Sequence, residues 1–148
     1  MKTLIAILII ASFLQSTIMP VDLVLIILIC RSFIKEEDKN LYLTFAFGLL
    51  VAHLNGNLIG TQSIIYLVTI FATHLIQRSR FAKNWILIIP LSLIFFSLNT
   101  ATLSVLTNQS IQLFPKVVWE TLLIVPAFHL LRIWEERFIP KKDIKLRV

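Results

Sequence analysis

Six apolar segments, at 3–19, 21–34, 41–56, 58–76, 85–107 and 115–134, are separated only by short polar stretches, and that succession leaves the chain few ways to fold. Apolar runs of about 17 to 25 residues cross a bilayer as helices. A water-soluble domain of 148 residues cannot hide so much apolar surface, with 57% of the residues hydrophobic and a mean hydropathy of +0.87. The sequence predicts an all-α integral membrane protein with six transmembrane helices in one domain, 1–134, followed by a basic tail, 135–148, too short to fold alone. The second segment is short: about 14 residues reach ~21 Å against a hydrocarbon thickness of ~30 Å, so it needs packing at one end or a thinned bilayer. The first segment follows Lys2 as a signal peptide would, but no Ala-x-Ala-like site follows it, so it reads as the first span.

Orientation follows from the basic residues. Of the 14 Lys and Arg, every one but Lys116 falls on one side of a six-span arrangement, including Arg78, Arg80 and Lys83 in one loop and Lys141, Lys142, Lys145 and Arg147 in the tail. Cytoplasmic segments carry such an excess, so both termini are expected in the cytoplasm. Trp85 and Trp134 at the basic side and Trp119 near the other read as interfacial anchors. The formal net charge of +6 is thereby explained by topology, and no nucleic-acid partner is implied. The tail could also meet anionic lipid.

All three glycines fall within 47–60, where Gly48, Ala52, Gly56 and Gly60 recur at four-residue spacing. Residues four apart share a helix face, and small residues there let a second backbone approach closely. The competing local reading makes Asn55-Gly56-Asn57 a turn between two spans. The combined expectation is that Gly48 and Ala52 pack on the third span, Gly56 ends it, and Gly60 packs early on the fourth.

Ionisable and amide groups inside the spans are where function is sought. Pro20 suits a helix start, and Asp22 follows in the first turn, where a carboxylate complements the free amides. Glu120 has Lys116 four residues before it on the same face. A sharper arrangement pairs Glu120 with His53, giving an outer polar cluster of Asp22, His53, Asn55, Asn57, Asn99 and Glu120. His74 and His129 lie near the inner ends, so the three histidines do not converge on a metal. The fifth span is rich in hydroxyls, Ser92, Ser97, Thr100, Thr102 and Ser104, which bond between helices or back to their own backbone, and Pro90 should kink it. Asn108-Gln109-Ser110 is a glycosylation sequon in form only. Cys30 reads as a small apolar residue. No enzyme motif is present, so neither catalytic residues nor a cofactor is expected.

Three stretches carry a resemblance. Met19-Pro20-Val21-Asp22-Leu23-Val24-Leu25, the block from Gly48 to Gly60 and the Tyr66 span ending in the 78–83 basic loop are similar to the bacterial rod-shape-determining protein family MreD. The similarity covers residues 18–83; the remainder agrees in hydropathy. It departs at Ala52, where that family usually carries an acidic residue, with His53 adjacent. The resemblance implies a non-enzymatic scaffold of the cell-elongation machinery in the bacterial inner membrane. Its implied partners are an MreC-like protein, MreB filaments and the peptidoglycan glycosyltransferase and transpeptidase. Proteins of that family are also similar in fold to the membrane substrate-binding subunits of energy-coupling-factor transporters. That leaves a vitamin or metal uptake subunit as the alternative, with Glu120, His53, Asn55, Asn57 and Asn99 lining its outward pocket. Against it, Ala6, Ala11 and Ser12 do not form the Ala-x-x-x-Ala docking pattern of such subunits.

Overall fold

The computed structural model describes residues 2–18, 21–35, 37–78, 85–107 and 113–138. Among them the fold is all-helical. Six α-helices follow in order: α1 Lys2–Thr17, α2 Leu23–Ile34, α3 Lys39–Leu54, α4 Thr61–Arg78, α5 Ile88–Thr107 and α6 Leu113–Phe138, with a 3-10 turn at Trp85–Leu87 before α5. Each expected apolar segment thus holds one helix. Two of them, α5 and α6, are long and apolar enough to cross a membrane, while α1, α2 and α3 are shorter apolar helices.

The shortest helix is the axis of the bundle. α2 packs against all five others: α6 and α4 foremost, then α1, α3 and α5. Nine of its 12 residues are buried, among them Val24, Leu25, Leu28, Ile29 and Phe33. A helix so enclosed has little use for a polar face, and α2 is apolar but for Arg31 and Ser32 near its carboxyl end, both buried. At ~18 Å it does not need to match a bilayer, because protein rather than lipid surrounds it. Phe33 meets Phe128 edge-to-face at 6.2 Å, and the Cys30 thiol donates to the Ile124 carbonyl at 3.8 Å, which fixes α2 on α6.

The glycine-rich stretch is a hairpin hinge rather than the organising centre. At Gly48 a Cβ would lie 2.6 Å from the Ser63 Cα, so α3 and α4 touch backbone to backbone there, and Ser63 Oγ donates to the Phe45 carbonyl at 3.3 Å. Ala52 is fully buried. Gly56 takes φ 64° just after α3, as a helix-ending glycine does. Gly60 does not pack on α4 as expected: it stands before that helix at φ 99°, and a Cβ would meet nothing within 4 Å. Its role is the backbone turn into Thr61.

Two further expectations change, at Pro90 and at the end of α6, and others are narrowed. Pro90 falls in the first turn of α5, where the missing amide hydrogen interrupts no established ladder, and it marks the passage from 3-10 to α geometry. Ser92, Ser97 and Thr102 bond back to Ile89, Ile94 and Leu98 of their own helix, so they do not join helices. The charged 35–40 connection is partly structured, since α3 already begins at Lys39 and Asn40 is buried, donating to the Lys35 carbonyl at 2.8 Å. α6 runs four residues past 134, so the tail begins later than expected. Pro20, Arg80, Lys83, Lys141, Lys142, Lys145 and Arg147 lie outside the described residues, as does the 108–110 sequon.

Candidate functional site

The amino end of α2 is built into a polar cluster drawn from four other helices. Asp22 occupies the N-cap position, yet its carboxylate makes no capping bond to α2. Instead Asp22 Oδ2 accepts from Asn99 Nδ2 of α5 at 2.6 Å and lies 3.6 Å from Lys116 Nζ of α6. The free amides of α2 are met from elsewhere. The Asp22 amide donates to Glu120 Oε1 at 3.0 Å, and the Val24 amide donates to Gln15 Oε1 of α1 at 3.0 Å. An amino-terminal helix end needs such acceptors when it is buried, and here two neighbouring helices supply them.

Lys116 Nζ also stands 3.7 Å from Glu120 Oε1, one turn along the same helix. One ammonium therefore faces two carboxylates. α4 completes the cluster: Gln62 Nε2 donates to the Tyr66 hydroxyl at 3.2 Å, and Asn57 Nδ2 donates to Gln62 Oε1 at 3.3 Å. Tyr66 is fully buried and neighbours Gln15 and Asp22. Asn99 and Glu120 are fully buried, and Asp22 is 6% exposed.

Of the residues expected in this cluster, Asp22, Asn99 and Glu120 come together and Asn57 joins at the rim through Gln62. His53 and Asn55 do not, because both are exposed on the last turn of α3 and the residue after it. The expected Glu120–His53 pair is replaced by Glu120 with Lys116 and the Asp22 amide. Sequence reasoning passed over Gln15, Gln62 and Tyr66. Gln15 and Asp22 flank the α1–α2 connection, and a glutamine inside an apolar segment was the available signal.

The opposite end of the bundle has a second set of charges. Glu37 lies 2.6 Å from Lys35 Nζ and 3.4 Å from Arg31, and Gln77 of α4 donates to the Phe33 carbonyl at 3.0 Å. The hydrogen bond from Lys35, reinforced by the charges of Lys35, Arg31 and Lys39, holds the Glu37 carboxyl below its ordinary value. Arg78 closes α4. His74 is buried, and among the described residues no three His, Cys, Asp or Glu side chains gather as a metal site would require.

These features define a class: an all-helical bundle whose central helix is pinned at its amino end by buried, mutually paired polar side chains. Comparison with family models, curated proteins and solved structures finds no match for the chain.

Proposed function

We propose that the chain is a six-span protein of the bacterial inner membrane, both ends cytoplasmic, that serves as a non-enzymatic scaffold in the cell-elongation machinery and helps position peptidoglycan synthesis. The observation that carries the membrane reading is the inverted distribution of side chains. Ile10, Phe13, Val68, Leu122 and Leu130 are 53% to 69% exposed, whereas Thr44, Thr73, Asn99 and Glu120 are fully buried. Water penalises such a surface, and monomeric soluble proteins rarely carry it. Lipid accepts it, and interior polar groups then hold the helices together.

The scaffold reading rests on the resemblance of residues 18–83 to the MreD family. Two features are compatible with it. Nearly all described residues belong to the bundle, so a partner would engage helix faces and short connections. The Asp22, Asn99, Lys116 and Glu120 side chains also bond or pair between elements and so tie the bundle together. The partners implied are an MreC-like protein, MreB filaments and the wall-synthesising glycosyltransferase and transpeptidase. Gentle solubilisation of the tagged protein from its native membrane, with identification of what co-purifies, tests this. Recovery of an MreC-like protein with wall-synthesis enzymes is the expected outcome; their absence sinks it. One observation favours a second reading, a substrate-binding membrane subunit of an uptake transporter: the polar cluster draws on five helices. Recovery of an ATPase pair with a coupling membrane subunit would select that alternative.

A further inference from the structure

We propose that Asp22, Asn99 and Glu120 form a binding site for one small monovalent cation, a proton or a sodium ion, where α2, α5 and α6 meet. The first reason is charge. Two carboxylates face a single ammonium, Lys116 Nζ, which stands 3.6 Å from Asp22 and 3.7 Å from Glu120. The amino end of α2 adds roughly half a positive charge, so the buried cluster remains negative. Uncompensated charge in a low-dielectric interior is costly, and a bound monovalent cation balances the formal charge left by two carboxylates and one ammonium.

The second reason is the count of acceptors. Among the described residues, Glu120 Oε2 and Asn99 Oδ1 are buried without a hydrogen-bond partner, although their sister atoms Glu120 Oε1 and Asn99 Nδ2 are both engaged within the cluster. Both residues are fully buried. Oxygen acceptors beside surplus negative charge suit a proton or a hard cation. A calcium ion takes about 6–8 oxygen ligands, more than the Asp22 and Glu120 carboxylates and the Asn99 amide provide.

Among the described residues, the groups facing Glu120 are few. α2 contributes Asp22, α6 contributes Lys116, and α4 contributes the Tyr66 phenol with Gln62. α1 offers the neutral Gln15 and α5 the neutral Asn99, and the α3 histidine at this end, His53, is exposed. The site is the same whether the chain is a scaffold or a transport subunit, so its failure would leave either reading standing.

Infrared spectroscopy of the purified full chain in lipid nanodiscs reads the site directly through the carbonyl stretch of a protonated carboxyl group. In choline-buffered samples a carboxyl band should fade as pH rises, and Glu120→Gln should remove it. If sodium chloride added at constant pH depletes the same band, sodium competes for the site; if it has no effect, the proton alone occupies it. Two further variants keep the test open should Glu120→Gln fail to fold. Lys116→Met should move the midpoint to higher pH, and Asp22→Asn to lower pH, each by about one unit or more. A spectrum without a titrating carboxyl that these variants alter, together with no response to sodium, would overturn the site and leave a permanent ion pair.

Discussion

At Gly48 the backbones of α3 and α4 are so close that one added carbon has nowhere to go. Gly48→Ala is therefore expected to destabilise the protein by about 1–3 kcal/mol, read as a lower melting temperature in detergent. Gly56→Ala meets no neighbour but forces a side chain into left-handed backbone, at about 1–2 kcal/mol. A melt unchanged in the first variant would reject the close approach. Both residues share one spacing pattern in the sequence, yet one makes a helix contact and the other a turn. Spacing identified them as special without separating the roles, since the hairpin between them resets the helical phase. His53 presents the complementary case. Its chemistry singled it out, but α3 is apolar nearly all round, so no hydrophobic face indicated which way His53 would turn.

Among the elements, α2 was the least legible. Its short length read as an awkward span, although the cause is that other helices enclose it. Its apolarity up to Cys30 is the trace of that burial, and it distinguishes poorly between protein and lipid as neighbours. Ile29→Ala, at a fully buried position of α2, should cost about 2–5 kcal/mol, whereas Val68→Ala on the 64% exposed face of α4 should change the melt by less than about 0.5 kcal/mol. Equal effects would deny α2 its central place. The connection from α2 to α3 gives a pH signature. Because the Glu37 carboxyl is held below its ordinary value of 4.5, its contribution is present above that pH and lost as pH falls through the depressed value. The stability difference between wild type and Glu37→Gln should thus be full near neutrality and close in acid, as denaturant melts across pH will measure. A difference independent of pH would exclude the ionised pair.

For the whole molecule, the number and order of helices were readable from the apolar segments, as was the Lys116–Glu120 pair from its spacing. The convergence of Gln15, Tyr66 and Asn99 was not, because it depends on how five helices are arranged around α2. In the proposed topology a reporter fused after Val148 should register the cytoplasm, and a periplasmic signal would reverse the span assignment. The contact between the Asp22 amide and Glu120 joins residues 98 positions apart. At ribosomal rates of about 5–20 residues per second, that interval lasts roughly 5–20 s. For that time the nascent chain carries a finished α2 whose Glu120 acceptor and α6 neighbour do not yet exist, and in the proposed membrane setting the first half waits in the insertion machinery or at its lipid edge. Birth order and assembly order are thus offset: the second helix made is not fully enclosed until the sixth arrives, and a ribosome that stalls before α6 leaves α2 without its foremost neighbour.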